Sequence, residues 1–344
     1  MKHKIAFIGF GVVGQGLTEI LVDKEHELRE RHGFECSIVA VSDVQKGSVC
    51  HENGLDGRKL LALVKETGTI EGYPEGVKGW DSLRTIRESN ADVVVEVSFT
   101  NIETGEPALS HFRAAFEAGK HLVTSNKGPV ALAYRELAHL AEENGVQFRF
   151  EGTVMSGSPV INLATVCLAG NEIRGIRGIL NGTTNYILTE MEKGQSYEAA
   201  LKQAQELGYA EAKPDADVEG WDALAKVLIL SNVLMEGELR VGDVAREGIT
   251  KITLQDIERA GADGKQWKLI GQTRRKNGGI EAKVSPEMVP LTDPLASVAG
   301  ATNAITFDTD LLGKVTVVGP GAGRRETGYS LLCDLLEIGR TSKR

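Results

Sequence analysis

The run Asp217-Val218-Glu219-Gly220-Trp221-Asp222-Ala223-Leu224-Ala225-Lys226 sets several carboxylates beside one amine. On a helix, Asp222 and Lys226 stand four positions apart, share a face, and have the acid first. Upstream, Leu207-Gly208-Tyr209-Ala210-Glu211 adds another acid beside a glycine turn. Carboxylates hold an ammonium group, and a lysine moves a proton. The combination suits a small substrate carrying a free amine. Each residue also has a plainer reading. Asp217 is placed to N-cap the helix that follows, and an exposed Asp222–Lys226 pair is worth only a few tenths of a kcal/mol.

A second motif supplies the other half of a redox reaction. Lys4–Ile8 is a short apolar run suited to a buried parallel strand. It ends in Gly9-Phe10-Gly11-Val12-Val13-Gly14, a GxGxxG followed by helical periodicity from Gln15 to Leu21. In such a loop Gly9 permits the turn, Gly11 lets backbone approach a pyrophosphate, and Gly14 lets helix pack on strand. The helix N-terminus then presents N–H groups to negative charge. Asp43, past the strand Ser37–Ser42, stands where an acid binds an adenosine ribose and favours NAD. Lys46, Arg58 and Lys59 follow it and suit a 2′-phosphate, so NAD and NADP are both open. Between Gly14 and Asp43 the polar stretch 24–32 reads as an insertion.

These motifs need elements to position them. Ala91–Val97 is a third buried strand with Ser98 at its end, and His121–Ser125 a fourth, followed by Asn126-Lys127-Gly128-Pro129. Ligands of open α/β sheets bind beyond the C-terminal strand ends, which marks Ser98 and Lys127 as candidates for cofactor contact. Helices are expected over about 105–118 and 132–143, and a strand over Val146–Phe150. Beyond it, Glu151–Pro159 is a small-residue loop able to turn carbonyls toward a cation, to bring backbone close to the cofactor, or simply to cross between domains. Next, a strand ending at Leu180 runs into Asn181-Gly182-Thr183-Thr184, a polar turn opening a helix. Its N–H groups and hydroxyls suit a substrate carboxylate or a simple cap. Tyr197–Leu207 is helical up to Gly208, and Pro214 keeps the following segment out of helix.

The fold class is therefore α/β: a Rossmann-type, doubly wound cofactor domain over 1–150, rejoined by 319–344, with an α+β substrate domain over 151–318. Strands are expected there at Ile173–Leu180, Gly279–Val284 and Ala304–Thr309. A length of 344 residues supports two cores. A net charge of -9 without a basic run argues against nucleic acid as a partner. No apolar stretch approaches a membrane span, and the start lacks the features of a signal peptide. Cys36, Cys50, Cys167 and Cys333 are scattered without a CxxC, against a zinc site or a disulfide framework. The expectation is a reduced, cytoplasmic protein.

Taken together, GFGVVGQGL, TSNKGPVA, EGTVMSGSP, GILNGTTNYILTEME, LGYAEAKPDADVEGWDALAK and GPGAGRRETG resemble homoserine dehydrogenases, in the family's order from Gly9 to Gly328. The resemblance implies NAD(P)-dependent interconversion of homoserine and aspartate 4-semialdehyde, in threonine and methionine biosynthesis. It implies Lys226 as the acid/base residue and Lys127 at the reacting end of cofactor and substrate. It implies Glu211 and Asp222 on the substrate with Asp217 nearby, and Gly182 and Thr183 as the substrate turn. Gly9, Phe10, Gly11, Val12, Val13, Gly14, Asp43, Ser98, Lys127 and Gly321 fall to the cofactor. Val154, Ser156 and Ser158 fall in a loop that binds a monovalent cation, Na or K, in similar proteins. A homodimer is implied as well. Two departures stand out: Lys213, where the family usually has Asp, and the bulky Arg324-Arg325-Glu326. A short form, without a regulatory domain or a fused kinase, is expected.

A protonated lysine is a donor at neutral pH and suits the reducing direction. As a base it needs burial or a second cation, for which Lys127 is the expected neighbour. Asp222 is then expected to engage the substrate rather than neutralise Lys226. Two rivals are a dehydrogenase of another small amino or hydroxy acid, since this fold hosts many substrates, and a non-catalytic NAD(P) sensor. Turnover of aspartate semialdehyde against other small aldehydes separates them.

Overall fold

The computed structural model describes residues 2–341. The chain divides into two compact units, one of residues up to Gly157 together with those from Gly323 on, the other Ser158–Ala322.

The first unit is built on seven strands: β1 (Lys2–Ile8), β2 (Glu35–Asp43), β3 (Gly47–Leu55), β4 (Val77–Lys78), β5 (Val93–Glu96), β6 (His121–Thr124) and β7 (Phe148–Arg149). They lie in the order β4-β3-β2-β1-β5-β6-β7. The pairs β1/β2, β1/β5, β5/β6 and β6/β7 are parallel, while β3 and β4 run antiparallel at one edge. This is a doubly wound sheet whose direction of winding switches at β1. Register explains why distant motifs meet. Ile8 lies opposite both Ser42 and Glu96, and Glu96 opposite Thr124. One residue on, the glycine loop, Asp43, the Val97-Ser98 segment and the Ser125-Asn126 segment all stand at one edge.

The interior of this unit joins Ile5, Phe7, Val41, Val93, Val95 and Val123 of the strands to helix residues Leu17, Ile20, Leu331 and Leu335. The last two come from the helix Arg324–Thr341, so the chain's end completes its first core. That helix crosses the helix Val12–Asp23 closely. A Cβ on Gly16 would lie 2.1 Å from Arg324 O, and one on Gly328 would lie 2.7 Å from Leu17 N. Arg324 then grips Glu19 through two nitrogens, at 2.6 and 3.1 Å, and Arg325 reaches Asp23 at 3.3 Å. The bulky arginine pair after the last glycine run is thus accounted for as a clamp between first and last helices.

The second unit carries β8 (Ile173–Ile179), β9 (Ala245–Arg246), β10 (Lys265–Lys276), β11 (Gly279–Pro290), β12 (Thr302–Thr309) and β13 (Lys314–Pro320). Their order is β13-β12-β8-β10-β11-β9, antiparallel except for β11/β9. Ile179, Ile270, Val289, Leu295 and Ala304 form part of its core.

Several expectations need correction. The polar stretch 24–32 is the helix Glu25–His32, closed by Gly33 in the left-handed region. The helix expected from 132 begins at Lys127, because Asn126 caps it through Gly128 N and a proline is tolerated in the first turn. It bends at Ala133, whose φ is -140°. The strand expected over Val146–Phe150 pairs only at Phe148–Arg149. The strand Gly279–Val284 runs on to Pro290, paired along its length with β10, which the lysine- and arginine-bearing sequence had hidden.

Gly328→Ala inserts a methyl group against the backbone of the first helix. It is expected to destabilise the protein by about 1–3 kcal/mol, the usual cost of overpacking. Thermal unfolding measures this, and an unchanged melting temperature would rule out so close a crossing.

Candidate active site

In the second unit the site grows from the end of β8. Ile179 leaves the sheet, and Leu180 and Asn181 turn the chain into the buried helix Gly182–Glu192. Asn181 caps that helix, its Oδ1 accepting from Thr184 N at 2.9 Å and from Thr184 Oγ1 at 3.0 Å. Its Nδ2 faces the other way and donates to Asp217 Oδ1 at 2.7 Å and to Asp222 Oδ2 at 2.9 Å. One amide thus joins a helix start to two acids far along the chain. Thr183 Oγ1 donates to Tyr209 O at 2.6 Å, which ties the segment leading to Glu211 to the same turn.

Lys226 projects from the helix Trp221–Ile229 into this cluster. It is buried, and its Nζ donates to Leu180 O at 2.5 Å and to Asp222 Oδ2 at 2.7 Å. The expectation that Asp222 is left to the substrate rather than paired with Lys226 is therefore corrected. The side chains are only partly exposed to water, at 7% and 18%, and the ammonium needs a counter-charge there. Among the described residues these two acceptors take two of the three Lys226 N–H groups, which leaves one to donate to a substrate oxygen.

Asp217 is corrected too. It does not cap the helix that carries Lys226. It belongs to the short helix Asp215–Val218, started by Pro214, and the following helix is entered through Gly220 at φ 82° with no side-chain cap. Freed from capping, its carboxylate turns to Asn181. Burial, and then the negative charge of Asp222, push the Asp217 carboxyl above the usual carboxylate range. Asn181, Lys226 and Thr183 oppose that shift without cancelling it. A cationic group arriving between the two acids would relieve it. Glu211 and Lys213 are exposed.

In the first unit Gly9 has φ 92°, and a Cβ there would lie 2.5 Å from Val97 O. A Cβ on Gly11 would meet nothing within 4 Å. The helix Val12–Asp23 starts at Gly11 without a side-chain cap. Open space in front of uncapped N–H groups fits a pyrophosphate. Asp43 buttresses this loop: Oδ2 accepts from Phe10 N at 2.7 Å, and Oδ1 from Gln45 N and Lys46 N at 2.9 Å each. Gln15 Nε2 donates to Phe10 O at 2.9 Å, holding the loop from its other side. Of the three cations considered for a 2′-phosphate, only Lys46 stays near Asp43. β3 starts opposite Asp43 at Gly47 and returns to Leu55 opposite Ile38, which carries Arg58 and Lys59 to the far end of the sheet.

Ser98 and Lys127 stand at the same C-terminal edge, Ser98 just past β5 and Lys127 as the first residue of its helix. Val154 is buried, and Met155 and Ser156 follow at φ 57° and 51°. Ser156 Oγ shares a hydrogen bond with Thr327 Oγ1 at 2.7 Å. Ser158 and Gly321 fall in the second unit, where Ser158 Oγ donates to Pro320 O at 3.1 Å and Gly321 lies against the Asn303 amide. Sequence reasoning gave the Asn181 turn no more than a helix cap or a carboxylate site, and gave Glu96 no role. An asparagine directly after a strand and before a glycine was a detectable cap signal, but its second bond to the acids was not.

Asp217 supplies a test of this electrostatic arrangement. A carboxyl raised in the folded state favours folding in acid, and that advantage is lost as pH rises through the raised value. Asp217→Asn keeps Oδ1 as the acceptor and removes the ionisation. The variant should melt at a higher temperature than wild type at neutral pH. The gap should close as pH falls to the ordinary aspartate range. A gap independent of pH would place the cost outside this carboxyl.

Comparison with known proteins gives the family. Residues 9–151 match the family model for the homoserine dehydrogenase NAD-binding domain, and residues 159–336 match the model for homoserine dehydrogenase. An NAD(+)-dependent homoserine dehydrogenase of Pseudomonas canavaninivorans is 46% identical over 344 residues, covering 100% of this chain and 98% of the relative. A structure of a candidate homoserine dehydrogenase from Archaeoglobus fulgidus superimposes with a TM-score of 0.89 at 40% identity, covering 98% of this chain and 99% of that one. A hyperthermophilic archaeal homoserine dehydrogenase mutant in complex with NADPH gives 0.85 at 30% identity, covering 99% and 98%. Identity at this level along nearly the whole of each chain, with two family models in tandem, places the chain in the homoserine dehydrogenase family.

Proposed function

We propose that this protein interconverts homoserine and aspartate 4-semialdehyde with a nicotinamide dinucleotide, within threonine and methionine biosynthesis. The observation that carries this reading is the cluster of buried Lys226 and Asn181 with half-buried Asp222 and Asp217, in which an amine sits beside two acids able to receive an ammonium. Asp217, Asp222 and Glu211 take the substrate amine. Gly182 and Thr183, at the start of the helix Gly182–Glu192, offer N–H groups to its carboxylate. A rival substrate without an amine would leave the second acid without a counter-charge, which favours an amino-acid aldehyde.

The bound nicotinamide supplies or accepts the hydride. Lys226 handles the proton. In the reducing direction its ammonium donates to the aldehyde oxygen as that oxygen becomes an alkoxide, and the amine regains a proton from solvent. In the oxidising direction the neutral amine accepts the hydroxyl proton. Asp222 supplies the counter-charge beside that ammonium. Lys127 adds positive charge at the reacting end. Gly9 to Gly14, Ser98 and Gly321 hold the cofactor, with Asp43 at its adenosine ribose. Asp43 at the end of β2, with Arg58 and Lys59 at the far end of the sheet, favours NAD, while Lys46 keeps NADP usable. Val154, Ser156 and Ser158 offer neutral oxygen donors, suited to a hard monovalent cation such as Na or K. The working form is a cytoplasmic homodimer.

Reduction of aspartate 4-semialdehyde, followed with NADH and with NADPH, tests the reading directly. Turnover is expected with both, and turnover of other small aldehydes in its place would sink the substrate assignment. Lys226→Ala should lower kcat by about 10²-fold or more, the scale of a lost acid/base group. Near-normal kcat would remove Lys226 from that role. Asp43→Ala should shift the ratio of kcat/KM toward NADPH, and an unchanged ratio would show that Asp43 does not face the ribose.

A further inference from the structure

Glu96 is fully buried at the C-terminal end of β5, the strand beside the glycine-loop strand. A carboxylate in that position is costly unless donors surround it. The donors come from three segments. Ser98 Oγ donates to Oε1 in a very short contact, His111 Nδ1 lies 3.1 Å from the same oxygen, and Asn126 Nδ2 donates to Oε2 at 3.3 Å. His111 is itself buried, on the helix Ala108–Glu117. The backbone carbonyl of Glu96 accepts from Thr124 Oγ1 at 2.7 Å.

Two consequences follow at the edge where ligands bind. With its proton committed to Glu96, the Ser98 hydroxyl keeps only lone pairs for whatever approaches it from outside. Asn126 is locked at the same time: beyond Glu96, its Nδ2 donates to Phe99 O at 3.2 Å, and its Oδ1 caps the Lys127 helix through Gly128 N at 3.2 Å. The chain after β5 is pressed against that helix start, since a Cβ on Gly128 would lie 2.4 Å from Asn101 O.

We propose that Glu96 is a positioning residue for the nicotinamide end of the cofactor. It holds Ser98 as a hydrogen-bond acceptor for the carboxamide N–H, and it holds Asn126 so that Lys127 is presented in one place. This rests on the cofactor reading above and extends it to a residue that touches neither cofactor nor substrate. Glu96→Gln is the isosteric test. Its amide nitrogen must meet either Ser98 and His111 or Asn126, and so it opposes a donor with a donor. In the first case the Ser98 hydroxyl turns its proton outward, and in the second Asn126 loses its acceptor and Lys127 its fixed place.

Binding is measured for two probes, NADH and ADP-ribose, which lacks the nicotinamide. Glu96→Gln should weaken NADH by about tenfold or more, the scale of a charged hydrogen bond. ADP-ribose should bind within about twofold of wild type. Ser98→Ala should show the same selective loss, and the double variant should lose little more than either alone. Equal weakening of both probes, or undiminished NADH binding, would overturn the proposal. If Glu96→Gln does not fold, unchanged NADH binding by Ser98→Ala overturns it alone. Wild-type turnover of aspartate 4-semialdehyde, assayed alongside, separates the two readings: its absence with NADH binding intact refutes the substrate and leaves the role of Glu96 standing.

Discussion

An ammonium group removed from water must find acceptors, and the second unit is arranged around that demand. Lys226 is satisfied by a carbonyl at the end of a strand and by a carboxylate one turn back on its own helix. The carbonyl exists for this purpose only because β8 ends at Ile179 and frees Leu180 O from the sheet. The carboxylate is held because Asn181, the next residue, donates to it while capping a different helix. Removing one partner of such a buried pair typically costs about 3–5 kcal/mol, because the other charge is left uncompensated. Strand end, helix start and lysine helix are therefore a single structural unit, with the proposed proton donor at its centre.

Excess negative charge is the second part of that arrangement. Asp217 and Asp222 share one amide, and one lysine cannot neutralise both acids. The burial of Asp217 and its raised carboxyl record this imbalance. A site in deficit of one positive charge is predisposed to an amine, and only weakly to a neutral or anionic ligand. On the proposed reading, selectivity for an amino-acid substrate would come from an unmet electrostatic demand as much as from direct contacts.

The first unit applies the same physics in the opposite sense. Its two carboxylates at the cofactor edge, Asp43 and Glu96, are met by hydrogen-bond donors rather than by lysine or arginine. Asp43 fixes backbone N–H groups of the glycine loop and of the turn beyond β2, and Glu96 fixes side chains beyond β5 and β6. Both tie neighbouring loops together without adding positive charge. The arginines after the last glycine run also work inside the unit, clamping the final helix to the first through Glu19 and Asp23.

The sequence by itself determined what depends on near neighbours along the chain. Strand, glycine turn and helix at Gly9–Gly14, the strand ends at Asp43, Ser98 and Lys127, and the four-residue spacing of Asp222 and Lys226 all follow from local periodicity and turn chemistry. The order of six motifs was enough to indicate the family. Charged residues hid β10 because alternation is obscured when a lysine, Lys268, is itself buried in the strand. What only the tertiary structure decided is which donor meets which buried charge. That Asn181 bridges two acids, that Asp222 pairs with Lys226, that Arg58 and Lys59 are carried to the far end of the sheet, and that Glu96 gathers Ser98, His111 and Asn126 all depend on register between segments distant in sequence. Hydrogen bonds and ion pairs act over a few ångströms, so a shift of one residue between two strands redistributes every one of them while leaving the local pattern of the sequence unchanged.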